Sequence, residues 1–346
     1  HTRDEICTQG FEHAIVDVPS FRDDDKAGGI AYIMSAAIGG FAQAFETHDI
    51  DILVILGDRY DAFPAALAAL PFNIPIAHIA GGERTEGVID EAIRHSLTKF
   101  AHVHFPSTQD YGRRIRQLGE EAWRIVVSGQ PGLDALNTFV PLDRQAFAEK
   151  HELQESKPIT IITLHPETLD QSATEVTLNA LLQAIEDVDT QLIITAPNSD
   201  TGNDLIHDAW HTLVEKNAAC VYIESLGRNG YLHALANVDC MVGNSSSGIT
   251  EAANFKLPVV NIGPRQLGRS AGRNVIHCGT AKADILAAWR HALDPAFRDS
   301  LHDLINEYGD GHAVTRIIDT LKTTKLDKRL LEKHFIDWPE PETHAP

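Results

Sequence analysis

Short apolar runs alternate along this chain with longer stretches in which apolar positions recur every three or four residues. The first pattern reads as strands buried on both faces, the second as amphipathic helices lying over them. Their alternation predicts parallel sheets built of βαβ units. In the first half, strands are predicted at Ile50 to Leu56, Ile74 to Ile79, His102 to Pro106 and Arg124 to Ser128, with helices over Ile30 to Thr47, Tyr60 to Leu70, Asp90 to Phe100 and Thr108 to Leu118. The second half predicts strands at Ile159 to Thr163, Gln191 to Thr195, Cys220 to Ile223, Asp239 to Val242, Val259 to Ile262 and Asn274 to His277. The expectation is an α/β protein of two Rossmann-like, doubly wound domains, residues 1–140 and 158–312. A polar hinge over 141–157 joins them, and a tail over 313–346, helical from Ala313 to Phe335, packs back on the first domain. Two such domains would hold a ligand in the cleft between them, at the carboxyl ends of the strands.

Candidate chemistry gathers at those strand ends. Asp51-Ile-Leu-Val-Ile-Leu56 runs into Gly57-Asp58-Arg59-Tyr60-Asp61, and the next strand ends in His78-Ile-Ala-Gly-Gly-Glu83. Asp58 and Glu83 can converge there, with Glu86, Asp90 and Glu91 following. Clustered carboxylates suit general acid/base work, because each charge pushes the pKa of its neighbours apart. Arg94 follows Asp90 by four residues on one helix face, within reach of a salt bridge. The structural alternative makes Asp90 and Glu91 ordinary first-turn residues and Asp61 a solvated cap.

The most informative stretch is Val242-Gly-Asn-Ser-Ser-Ser-Gly-Ile-Thr-Glu251: an apolar strand, a loop of small polar residues, then a helix opened by Ile249-Thr250-Glu251. Backbone N–H groups at a helix start attract anions, and Ser245, Ser246, Ser247 and Gly248 leave room for a diphosphate to approach them. Glu251, about one turn inside the helix, could accept hydrogen bonds from two vicinal hydroxyls. The strand Leu257-Pro-Val-Val-Asn-Ile-Gly263 then delivers Arg265, Gln266 and Arg269. Together these describe a nucleoside diphosphate site; the alternative is plain helix capping by Ser247. His165, in Thr163-Leu-His165-Pro-Glu-Thr168, is the best histidine for a phosphate or proton role. Asn198 and Ser225-Leu-Gly-Arg228-Asn229 are further cleft-edge candidates. His102 and His104 alternate on a strand without carboxylate or cysteine partners at ligand spacing, so no metal site is read there, and no cofactor motif is present.

Composition narrows the partners. The formal charge of −20 argues against nucleic acid or an anionic membrane. Four cysteines without paired spacing suit a reducing compartment, and no segment reads as a signal peptide or membrane span, so a cytoplasmic protein is expected.

Gly57-Asp-Arg-Tyr-Asp-Ala62, His78-Ile-Ala-Gly-Gly-Glu83, Ile89-Asp90-Glu-Ala-Ile-Arg94-His95-Ser-Leu-Thr98-Lys99, Gly243-Asn-Ser-Ser-Ser-Gly248 and Asn261-Ile-Gly-Pro-Arg265-Gln266 resemble the UDP-N-acetylglucosamine 2-epimerase family, and more narrowly its hydrolysing branch. The resemblance implies a glycosyltransferase-B architecture, a UDP-sugar substrate, no cofactor, a homodimer or homotetramer, and release of UDP with a 2-epimerised free N-acetylhexosamine through a glycal. It implies that Ser245, Ser246, Glu251 and Arg265 bind UDP, that His165 lies near the diphosphate, that Asp58 and Asp90 are catalytic, and that Arg94 orients the sugar or its carboxylate partners. Where some relatives carry a catalytic glutamate this chain has Ala80, and Glu83 is favoured over Glu86 as the replacement. The resemblance also implies that a first βα unit is lacking ahead of His1. A non-hydrolysing epimerase, a glycosyltransferase of the same architecture and a nucleotide-sugar sensor are the rival readings.

Overall fold

The structure, a computed structural model, describes residues 6–8, 10–18, 27–84, 89–167, 171–197 and 203–337. Its contacts divide the chain into one unit of His1–Ser128 with Val314–Pro346 and a second of Gly129–Ala313. The boundary thus falls before the expected residue 140. The stretch 141–157 falls inside the second unit and carries a helix anchored there by buried Phe147 and Ala148.

In the first unit β1 (Leu53–Leu56), β2 (Ile76–Ile79) and β3 (Val103–Phe105) form a parallel sheet in the order β1-β2-β3. The helices here are α1 (Ala27–Thr47), α2 (Phe63–Ala69), α3 (Ile89–Phe100) and α4 (Gln109–Gln117). Ile55, Ile76, Ala66, Ile93 and Leu97 share one core cluster, while β1 at the sheet edge leaves Val54 and Leu56 exposed. The strand expected at Arg124 to Ser128 is absent: Ala122–Arg124 is a 3-10 turn, and a single bridge joins Ile125 to His104.

In the second unit α5 (Arg144–Lys150) precedes β4 (Ile159–Thr163), α6 (Gln171–Ile185), β5 (Gln191–Thr195), α7 (Asn203–Lys216), β6 (Cys220–Ile223) and α8 (Gly227–Asn237). Then follow β7 (Cys240–Gly243), α9 (Ser246–Thr250), β8 (Val259–Ile262), β9 (Val275–Cys278), α10 (Lys282–Ala292) and α11 (Pro295–Asp299). Every residue of β4, β5, β7 and β8 is buried, as strands covered by helices on both faces must be. Ile162, Ile194, Val242 and Val260 face Trp210 and Trp289, while Ile161, Ile193 and Met241 face Phe147 and Leu235. Trp289 Nε1 donates to Thr160 Oγ1 at 3.2 Å, which accounts for a polar residue in this core. The strand order β6-β5-β4-β7-β8-β9 is the Rossmann order, and it reverses direction between β4 and β7.

The tail returns to the first unit as α12 (Ala313–Thr323) and α13 (Lys328–Leu331), not as one helix, because Asp327 starts α13 by accepting from Leu330 N. Buried Arg124 clasps it: Nη1 donates to the carbonyls of Leu330 (2.8 Å) and His102 (3.1 Å), Nη2 to those of Glu332 (2.9 Å) and Arg329 (3.1 Å). Beside it buried Glu120 accepts from Lys99 at 2.6 Å and Lys333 at 2.7 Å and lies 3.0 Å from His104 Nε2. His104 therefore has a carboxylate partner that local spacing did not reveal. No three-ligand metal cluster occurs among the described residues, nor any helix long and apolar enough to cross a membrane.

Burial alone would raise the Glu120 pKa, but the hydrogen bonds from His104, Lys333 and Lys99 outweigh it and bring it down to about 2. Its contribution is present above the unfolded value of 4.5 and lost as pH falls through about 2. We expect Lys333→Met to destabilise the protein by about 3 kcal/mol in urea titration at neutral pH, since it leaves a buried carboxylate short of a counter-charge.

Candidate functional site

In the first unit the strand ends are shaped by tight backbone. Gly57, Ala80 and Gly82 all have positive φ, and a Cβ on Gly82 would lie 2.4 Å from Tyr111 O, so only glycine fits there. Ala80 is thus left-handed (φ 62°). His78, fully buried on β2, places Nε2 2.7 Å from Gly57 O and ties the loop bearing Asp58 to the strand that leads to Glu83. Burial lowers its pKa to about 4, so the ring is neutral and donates from Nε2.

Arg94 organises the acidic cluster. It is only 2% exposed on α3, and its Nη2 donates to Asp58 Oδ2. Its Nη1 donates to Glu91 Oε2 at 2.5 Å and to the Glu83 carbonyl at 3.2 Å. Spacing pointed to Asp90 as its partner; the fold brings Asp58, Glu91 and the Glu83 backbone to it instead. Glu91, read as a first-turn residue, also lies 3.0 Å from His95 Nε2, and thereby fixes a second side of the cluster. The Asp90 pKa is raised, first by burial and then by the charge of Asp58. An acid with a raised pKa beside a paired carboxylate is the arrangement that separates a proton donor from an acceptor.

In the second unit His165, Ser245 and Arg265 gather where the strand order reverses between β4 and β7. Gly243 (φ 140°) makes this possible: a Cβ would sit 1.9 Å from Thr163 O. The next residue, Asn244, was missed by sequence reading, and it holds this cluster together. Its Oδ1 accepts from His165 N at 2.7 Å, and its Nδ2 donates to His165 O at 2.9 Å. Its own carbonyl accepts from Gln266 Nε2 at 2.8 Å and Arg265 Nη1 at 3.4 Å. His165, Ser245 and Arg265 are therefore spaced by one buried amide. Arg269 lies on the turn that follows, its N–H donating to Gln266 O at 3.3 Å.

The serine segment departs from expectation in three ways. Helix α9 begins at Ser246, with Ser245 as its cap, so Ser245 and not Ser247 does the capping. The Ser247 hydroxyl is engaged by the partly buried Tyr231 OH, and Gly248 is packed so closely that a Cβ would lie 2.8 Å from Val259 Cγ1. Glu251 sits at the far end of the five-residue α9, where the helix passes into the 3-10 turn Ala252–Phe255, and Arg228 Nη1 donates to its Oε1. Asn198 and Glu86 lie outside the described residues.

A sequence model of the UDP-N-acetylglucosamine 2-epimerase family matches residues 1–322. The chain is 36% identical over 305 residues, 87% of its length and 79% of the relative's, to the UDP-N,N'-diacetylbacillosamine 2-epimerase (hydrolyzing) of Legionella pneumophila. It is also 36% identical over 318 residues, 91% and 82% of the two chains, to the GDP/UDP-N,N'-diacetylbacillosamine 2-epimerase (hydrolyzing) of Campylobacter jejuni. Its fold is that of the UDP-GlcNAc 2-epimerase from Neisseria meningitidis bound to UDP-GlcNAc, with a TM-score of 0.76 at 18% identity, covering 92% of this chain and 89% of the other. The glycosyltransferase-B class expected from the motifs is the class of this fold.

Asp58→Asn removes one of the influences that raise the Asp90 pKa, the others being burial and the charge of Asp61, so we expect the Asp90 titration, followed by carboxyl 13C NMR, to move to lower pH. Because a raised carboxylate pKa makes stability fall as pH rises above the unfolded value of 3.8, Asp90→Asn is expected to leave the protein at least as stable at neutral pH.

Proposed function

This chain belongs to the UDP-N-acetylglucosamine 2-epimerase family, and we propose that it is a hydrolysing 2-epimerase acting on a UDP-linked 2-acetamido sugar. The observation that carries this reading is the 36% identity, over most of both chains, to two proteins named as hydrolyzing 2-epimerases. Because those names specify diacetylbacillosamine, its UDP derivative is the first substrate to test, ahead of UDP-N-acetylglucosamine.

In the proposed reaction the C1–O bond breaks and UDP departs with the electron pair, while positive character at C1 acidifies the C2 proton. A carboxylate takes that proton and a glycal forms. Water then adds at C1, and an acid delivers a proton to C2 from the opposite face, so that UDP and the free 2-epimer result. Asp58, Glu83 and Asp90 share the acid and base roles, with Asp90 suited to donate because its pKa is raised. Arg94 holds Asp58 in place. Ser245, Ser246, Arg265, Arg269 and His165 receive the diphosphate, with charge-assisted donors stabilising the leaving group. Glu251 takes the ribose hydroxyls, while Ser247 and Gly248 shape the loop behind them.

Incubation with UDP-sugar in D2O, followed by 1H NMR, is expected to give UDP and free 2-epimerised sugar with one deuterium at C2. A mixture of epimeric UDP-sugars would assign the non-hydrolysing reaction instead, and no turnover without an acceptor would assign a glycosyltransferase. Asp58→Asn is expected to lower kcat by about 10²- to 10⁴-fold, with UDP affinity by calorimetry near that of the wild type.

A further inference from the structure

Arg228 belongs to none of the phosphate or acid/base groups, yet it is tied to one of the proposed ligands. It stands in the first turn of α8, with Nη1 donating to Glu251 Oε1 and Nη2 to the carbonyl of Gly132 in the 3-10 turn Pro131–Asn137. Its side chain is 45% exposed, against 12% for Glu251. An ion pair this open adds little to stability, so the contact calls for another explanation. Glu251 supplies it. Glu251 stands where α9 passes into the 3-10 turn Ala252–Phe255, and its side chain has several staggered rotamers open to it unless a partner selects one. The guanidinium is a rigid planar fork, and with one prong on Gly132 O it fixes where the other prong holds Oε1.

The surroundings point the same way. Arg228 lines a cavity of about 340 Å³ together with Thr195, Glu224, Leu226 and Tyr231, at the ends of β5 and β6. Tyr231, whose hydroxyl meets that of Ser247, is partly buried against the core of the second unit. With Oε1 taken by Arg228, a diol reaching Glu251 meets Oε2 in one orientation.

We propose that Arg228 is a specificity-determining positioning residue: by pinning Glu251 it sets the preference for a ribonucleotide over its 2'-deoxy counterpart. The proposal rests on the reading that Glu251 takes the ribose hydroxyls. A hydrogen bond to a fixed carboxylate is worth roughly tenfold or more in affinity, and a carboxylate free to rotate loses most of that selectivity.

The test is calorimetry of UDP and 2'-deoxy-UDP with the wild type, Arg228→Gln and Arg228→Lys, each first checked for a wild-type thermal melt. The wild type is expected to favour UDP by about tenfold. Arg228→Gln should narrow that ratio to within about threefold, chiefly by weakening UDP, and Arg228→Lys should fall between, since it keeps the charge without the fork. In turnover assays KM should rise in Arg228→Gln while kcat at saturation holds. A wild-type ratio preserved in Arg228→Gln overturns the role of Arg228 alone. Equal binding of both nucleotides by the wild type overturns the ribose reading of Glu251 and this proposal with it.

Discussion

Parallel strand pairing is the constraint from which everything else in this protein follows. When all strands of a sheet run one way, every strand-to-helix turn emerges at the same edge, and the polar residues of those turns are crowded together. Loops carrying function would ordinarily be loose, so each unit has a buried polar side chain that ties neighbouring turns. In the second unit Asn244 grips both backbone groups of His165 and receives Gln266 and Arg265 on its own carbonyl. In the first, neutral His78 joins the end of β2 to Gly57, and Arg94 reaches from α3 to Asp58, Glu91 and the Glu83 carbonyl. Precision at the site therefore comes from a few buried hydrogen bonds between turns, not from the turns themselves.

The two arginine–carboxylate pairs at the strand ends are built differently. Arg94 is almost wholly desolvated, so removing Asp58 would strand a buried cation; Glu91 and the Glu83 carbonyl limit that penalty by sharing it. Arg228 is half in water and its pair with Glu251 is dispensable for stability. The first pair is desolvated on its arginine side and therefore costly to break. The second can be tuned without harm to the fold.

How much of this is legible in the sequence depends on whether the signal is local. Strands β4, β5, β6 and β8 were read to the residue, because each is a continuous apolar run closed off by polar or proline residues. Strand β1 proved shorter than Ile50 to Leu56, since Ile50 and Asp51 lead into the strand without pairing. Asp58, Asp90, Arg94, His165, Ser245 and Arg265 were all picked out, and all lie at strand ends or on the helices that follow. The contact of Ser247 with Tyr231 gave no local signal, because Tyr231 lies sixteen residues earlier on another helix. Glu120 beneath His104, and Arg124 beneath the tail, could not be anticipated, for their partners meet only across the sheet. Asn244 carried a usable hint: a lone amide directly after a glycine at a strand end has few other reasons to be there.

The clasp around Arg124 also has a temporal side. The residues that complete the first unit, from Leu330 to Lys333, leave the ribosome after the whole second unit has been made. Until they arrive, Arg124 faces carbonyl positions that are still vacant and Glu120 lacks one of its two lysines. The second unit, an uninterrupted span of chain, can close its sheet while synthesis continues; the first must wait with its interior charges unbalanced. Vectorial synthesis thus sets the order in which the two units are completed: the unit whose strands are made earlier is finished only when the residues that follow Ala313 emerge.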